Sequence, residues 1–156
     1  SRGLGDVYKR QSLLGNKLSH ASPFARIMET GRASRLVQVG IRTLNKHQRE
    51  QAEKFGVEIY QMKDLTKLNS LSFSKPVYCS IDIDALDPAY APGVSHFEPG
   101  GLSTRQLIDC LNGFKGRLIG ADIVEYNPKR DFHKLTAMVA AKLLKEVIAR
   151  IYRDNS

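Results

Sequence analysis

The stretch from Pro76 to Gly101, PVYCSIDIDALDPAYAPGVSHFEPGG, constrains this 156-residue chain more than any other. Val77, Tyr78, Cys79, Ser80 and Ile81 form a short β-branched and apolar run behind a proline, the pattern of a strand buried on both faces. The run then turns acidic, with Asp82, Asp84 and Asp87 in the spacing D-x-D-x-x-D-P. In an extended chain residues i and i+2 point the same way, so Asp82 and Asp84 are expected to face together while Ile83 packs inward. Open parallel sheets bind ligands at the carboxyl ends of their strands, and the following loop is punctuated by Pro88, Pro92, Gly93, Pro99, Gly100 and Gly101. Two carboxylates in that place are half of a metal site. Short acidic pairs also arise by chance, and the alternative is a solvated acidic turn; Asp87 is expected to cap or brace the loop.

The flanking segments alternate in period. Pro23 behind Ser22 predicts a helix to about Gly31. Leu36 to Val39, closed by Gly40, reads as a strand, and Leu44 to Phe55 as a polar surface helix with a Glu50–Lys54 pair and Gly56 as its stop. Val57 to Tyr60 is the next strand, and Lys63 to Ser74 is ambiguous between a short helix and a polar turn. Ser103 to Gln106 is a capping box opening a helix to about Leu111. Leu118 to Val124 reads as a fourth strand that delivers Glu125 to its carboxyl end. The chain closes on a long helix with Leu143, Leu144, Val147, Ile148 and Ile151 as its apolar face and Lys142, Glu146, Arg150 and Arg153 as its wet one. This alternation predicts an α/β fold, a doubly wound parallel sheet with helices on both faces, about four strands of which lie in this chain.

Residues 1–14, opening SRGLGDVYKRQ, show neither period and read as a non-native linker or junction, which leaves 15–156 as part of a single domain. With 42% hydrophobic residues the chain can bury one core. Its longest apolar segment, Leu135 to Ile151, is broken by Lys142, Lys145, Glu146 and Arg150, so no membrane span is expected. Cys79 and Cys110, one in a predicted strand and one in a predicted helix, suggest reduced thiols in a cytoplasm. Net charge is 24 basic minus 16 acidic residues, or +8. The basic residues are scattered rather than gathered in a stripe, which argues against a nucleic-acid partner.

Two further residues are candidates for chemistry. Glu125 ends a strand as Asp82 does, so their loops can converge on one cleft. Spacing alone favours an ordinary solvated glutamate. His20, in the loop before the first helix, could carry a proton, although a lone histidine is more often structural or merely exposed. His96 could line the same mouth without an assigned role, and His47 and His133 read as surface residues.

The run SIDIDALDPAYAPGVSHFEPGGLS, with GADIVEYNPKRD after it and LSHASPFARI before it, resembles the arginase/agmatinase (ureohydrolase) family. Three motifs stand in the family's order from about Gly15 to the C terminus. The resemblance implies a hydrolase that splits a guanidino group into urea and an amine on two Mn(II) ions. It implies Asp82 and Asp84 as metal ligands, the former bridging, Glu125 as the guanidinium-binding residue and His20 as the group that protonates the leaving amine. The family's upstream D-A-H-x-D segment and an earlier G-G-D-H-like histidine are absent, so the chain reads as the C-terminal half, inactive alone.

Agmatine, yielding putrescine, is the favoured substrate. The family's arginine-recognising residues lie largely beyond this sequence, and Phe97 offers apolar surface. Arginine hydrolysis is the alternative, as is a non-catalytic fragment that binds a partner. A small cationic guanidino substrate, neither nucleic acid nor membrane, a homo-oligomer of the complete enzyme and a cytoplasmic setting complete the expectations.

Overall fold

The structure is a computed structural model and describes residues 23–156. Helix α1 spans Pro23–Glu29, strand β1 Val37–Ile41, helix α2 Lys46–Phe55 and strand β2 Glu58–Gln61. The ambiguous segment is a 3₁₀ helix, Met62–Ser70. Strand β3, Val77–Asp82, leads into a 3₁₀ turn, Ile83–Ala85. Helix α3, Thr104–Gly113, strand β4, Leu118–Val124, and helix α4, Leu135–Asn155, complete the order.

Local signals set these boundaries. Asn45 caps α2, accepting from Gln48 N while the Gln48 side chain accepts from Asn45 N, and Ser103 and Gln106 repeat the arrangement at α3. Gly56 ends α2 in the left-handed region, φ 61°, and its N–H reaches Ala52 O and Glu53 O.

Among the described residues the four strands form two parallel pairs rather than one continuous ladder. β1 lies against β2 with Val39 opposite Tyr60, and β3 against β4 with Asp82 opposite Val124. No ladder joins β1 to β3 among the described residues. Side chains of the first pair reach across instead: Arg35, just before β1, donates to Ser72 O at 2.6 Å, in the segment leading to β3. Gly40, at φ 83° beside a register shift in β1, lies where a Cβ would come within 3.0 Å of Leu102. The register of the second pair has the consequence that matters: the exits of β3 and β4 stand side by side at one carboxyl edge.

Beneath that edge the main core gathers Ile81, Ile83, Leu86, Val94, Leu102, Ile108, Leu111, Leu118, Leu143 and Val147. Each large side chain there stabilises the fold by roughly 1.5–3 kcal/mol relative to exposure. A smaller cluster around Ala52, with Phe24, Leu36, Phe55 and Ile59, supports the first pair.

The expected faces of α4 need correction. Leu144 and Ile148 are exposed, whereas Arg150, expected in water, is 5% exposed. Long-range polar partners decide this, since the Arg150 guanidinium is taken up by carbonyls of the α3–β4 connection. Cys79 and Cys110 are free thiols, and burial pushes Cys79 up to about 11.

Candidate active site

The acidic exit of β3 is not extended. Asp82 ends the strand, and its carboxylate accepts from Asp84 N at 2.8 Å, turning the chain at once into the 3₁₀ turn that Leu86 N closes on Ile83 O at 3.0 Å. The i, i+2 alignment expected for Asp82 and Asp84 therefore does not hold. A short aspartate side chain bonds its own backbone two residues on more readily than it leaves the strand straight. The turn leaves Asp82 half-buried and sinks Asp84 to 3% exposure beside the fully buried Ile83.

The loop beyond is folded back over this turn. Asp87 braces it as expected, accepting from Ala89 N at 2.9 Å, Gly100 N at 2.7 Å and Gly101 N at 3.3 Å, and these hydrogen bonds hold its carboxyl below the usual range. Val94 bridges to Tyr126, and Asn127 N donates to Gly93 O at 2.8 Å, so the loop carrying His96 is hooked to the chain leaving β4. Gly93 permits this approach, because a Cβ there would come within 2.9 Å of Thr136. Glu125 takes φ 65°, a left-handed conformation costing a non-glycine residue roughly 1–2 kcal/mol. Such strain at a strand exit directs attention to function.

These features bring three groups together. Asp84, His96 and Glu125 each offer a ligand atom, and the three atoms lie within 4.8 Å of one another. His96 Nδ1 is 3.8 Å from Asp84 Oδ2. Asp82 does not belong to this trio. Asp84 Oδ1 is buried with no hydrogen-bond partner. Burial, then the charge of Glu125, pushes the Asp84 carboxyl up to about 6, and the charge of Arg42 opposes the shift. A buried carboxylate oxygen without a donor, beside an imidazole and a second carboxylate, fits a hard or borderline divalent cation, Mn(II) among them.

His20 lies outside the described residues, as does the side chain of His47. His133 is exposed, as expected. Sequence reasoning left His96 without a role and did not single out Arg42. The only sequence signal for His96 is its place in the same Gly- and Pro-rich loop as Asp87.

Fold and site together define a parallel α/β protein with a cluster of one imidazole and two carboxylates at the carboxyl edge of its strands. The sequence profile of the arginase family matches residues 6–149, and the chain belongs to that family. It is 54% identical over 154 residues to "Arginase 2, chloroplastic/mitochondrial" of Arabidopsis thaliana, a match covering 94% of this chain and 44% of that protein. Its structure is similar to that of an arginase from Medicago truncatula, with a TM-score of 0.85 and 48% identity over 94% of this chain and 49% of that one. An agmatinase of Bacillus cereus is 32% identical over 145 residues, covering 89% of this chain and 50% of that protein. The chain thus spans about half the length of the relatives it matches. This order of similarity favours the arginase alternative over the expected agmatinase, and the organellar name of the Arabidopsis relative gives no support to a cytoplasmic setting. No helix among the described residues is long and apolar enough to cross a membrane.

Proposed function

We propose that the complete protein hydrolyses arginine to urea and ornithine in a manganese-dependent reaction. The observation that carries the reading is the buried Asp84 carboxylate, one oxygen of which has no hydrogen-bond partner, grouped with His96 and Glu125 in a chain 54% identical to an arginase. Asp84 would hold Mn(II), and Asp82, which stands outside the trio, would join it as the resemblance implies, in company with ligands from beyond this sequence. When bound, the metal supplies Lewis acidity and ionises a water at neutral pH.

The chain's own residues do the rest. Glu125, turned out of the ladder by its left-handed backbone, orients the planar guanidinium by charge-assisted hydrogen bonds. His96 lines the mouth beside Asp84. His20 hands a proton to the amine nitrogen as the carbon–nitrogen bond breaks.

Support for arginine over agmatine comes from similarity and from the loop itself. Phe97 is not a bare apolar wall: the Arg130 guanidinium stands 5.5 Å over its ring, and Arg130 donates to Ser95 O at 3.0 Å. A cation packed against that loop suits a substrate with an α-carboxylate better than one without. A homo-oligomer and an organellar setting belong to the same proposal. The 156-residue chain alone is expected to be inactive. Comparing kcat/KM of the complete protein with both substrates tests the reading. A preference for agmatine of more than about tenfold, roughly 1.4 kcal/mol, overturns it.

A further inference from the structure

We infer that Arg42 is a positioning residue for the metal-binding Asp84, an inference that rests on Asp84 being a ligand. Arg42 is the first residue after β1 and so belongs to the strand pair that does not carry Asp84. Its side chain is 6% exposed and reaches across to the acidic turn. Nη2 donates to the Asp84 carbonyl, and Nη1 donates to Glu98 O at 2.6 Å and Leu86 O at 3.3 Å. Nε lies 3.9 Å from Glu98 Oε2, and the other oxygen of that carboxylate accepts from Thr43 Oγ1 at 2.7 Å.

One guanidinium thus grips the main chain at Asp84 itself, two residues beyond it, and on the loop that folds back over it. Fixing those carbonyls fixes the direction in which the Asp84 side chain leaves the backbone. Three carbonyls from two segments call for a planar fork of donors, which arginine has and the compact ammonium of lysine lacks. The neighbourhood is cut to fit: a Cβ on Gly101 would collide with Arg42 Nη1 and with the backbone of Leu86 and Asp87. A buried guanidinium facing mainly carbonyls is costly to desolvate, so its retention here suits a task that packing alone would not require. Groups that orient a metal ligand without touching the metal tune its affinity.

The test uses the complete protein, stripped of metal and titrated with Mn(II), following the electron paramagnetic resonance of the free ion. Arg42→Gln, Arg42→Lys and Asp84→Ala are compared with the unsubstituted protein, alongside thermal unfolding of each metal-free form. Arg42→Gln is expected to raise the Mn(II) Kd about 10- to 100-fold and Arg42→Lys by less, with turnover recovering in excess Mn(II) and KM for the guanidino substrate unchanged. A change below about fivefold in Arg42→Gln overturns the inference, even if the unfolding temperature falls, because that is a brace and nothing more. Should Arg42→Gln not fold, the same threshold applies to Arg42→Lys. If Asp84→Ala binds Mn(II) normally, the ligand assignment has failed; if Asp84→Ala alone loses metal, that assignment stands and the role of Arg42 falls.

Discussion

Arg150 and Asp84 are both charged side chains almost wholly removed from water, at 5% and 3% exposure, and the chain treats them in opposite ways. Every guanidinium nitrogen of Arg150 has a partner. Its Nε donates to Asp154 at 2.8 Å, Nη1 to Leu111 O at 2.6 Å, and Nη2 to Phe114 O at 3.0 Å and Gly116 O at 2.9 Å, while its plane lies 4.3 Å from the Phe114 ring centre. Asp154 in turn accepts from Leu118 N at 2.9 Å, so one ion pair staples α4 to the end of α3 and the start of β4. Asp84, at the other end of β3 and β4, keeps one oxygen with no donor. A buried charge whose every nitrogen has a partner is a structural staple, whereas Asp84, left short at the carboxyl edge of a parallel pair, is the group proposed above to hold a metal.

The comparison breaks first at the staple. Arg150→Ala should cost about 3–5 kcal/mol, because Asp154 and three carbonyls lose their partner in a dry place. Urea unfolding measures this, and a loss under about 1 kcal/mol would show that the staple is ornamental. At the site, Glu125→Gln in the complete protein should lower kcat/KM at least about 100-fold, roughly 2.7 kcal/mol, while Mn(II) affinity holds. Loss of metal in that variant would move Glu125 from substrate to ligand, a role its distance from Asp84 also allows.

A smaller effect has the opposite sign. Asp84→Asn should leave the metal-free protein as stable or more stable by about 1–3 kcal/mol near neutral pH, since it removes a buried charge that Arg42 offsets only in part. Destabilisation on the scale of Arg150→Ala would erase the contrast between the two regions.

The last effect is in pH. Asp84 titrates above its unfolded value of 3.8, at about 6, so the native state binds more protons and stability falls as pH rises from 3.8 toward about 6. Asp154 titrates below its unfolded value, chiefly through the Leu118 N–H and Arg150, so its contribution is present above 3.8 and is lost as pH falls further. Melting curves of the metal-free protein across this range, with and without Asp84→Asn, separate the two slopes.

The sequence makes local structure legible where the signal is local. β4 spans Leu118–Val124 as read, the Ser103 box opens α3, and Gly56 closes α2. The convergence of the β3 and β4 exits is also legible, because parallel strands put their carboxyl ends on one edge. Three things are not. Asp82 caps its own turn, a choice between backbone conformations that strand periodicity does not register. Arg150 and Arg42 find carbonyls that lie 34 to 56 residues away, and nothing near either residue announces them. His96 joins Asp84 and Glu125 only because Gly93 and Asn127 pin its loop to the β4 exit.

If the unpartnered Asp84 oxygen holds metal, Mn(II) bound per chain of the complete protein should be about two ions, falling to one or none in Asp84→Ala with the metal-free fold intact. An unchanged count in Asp84→Ala would show that Asp84 is not a ligand.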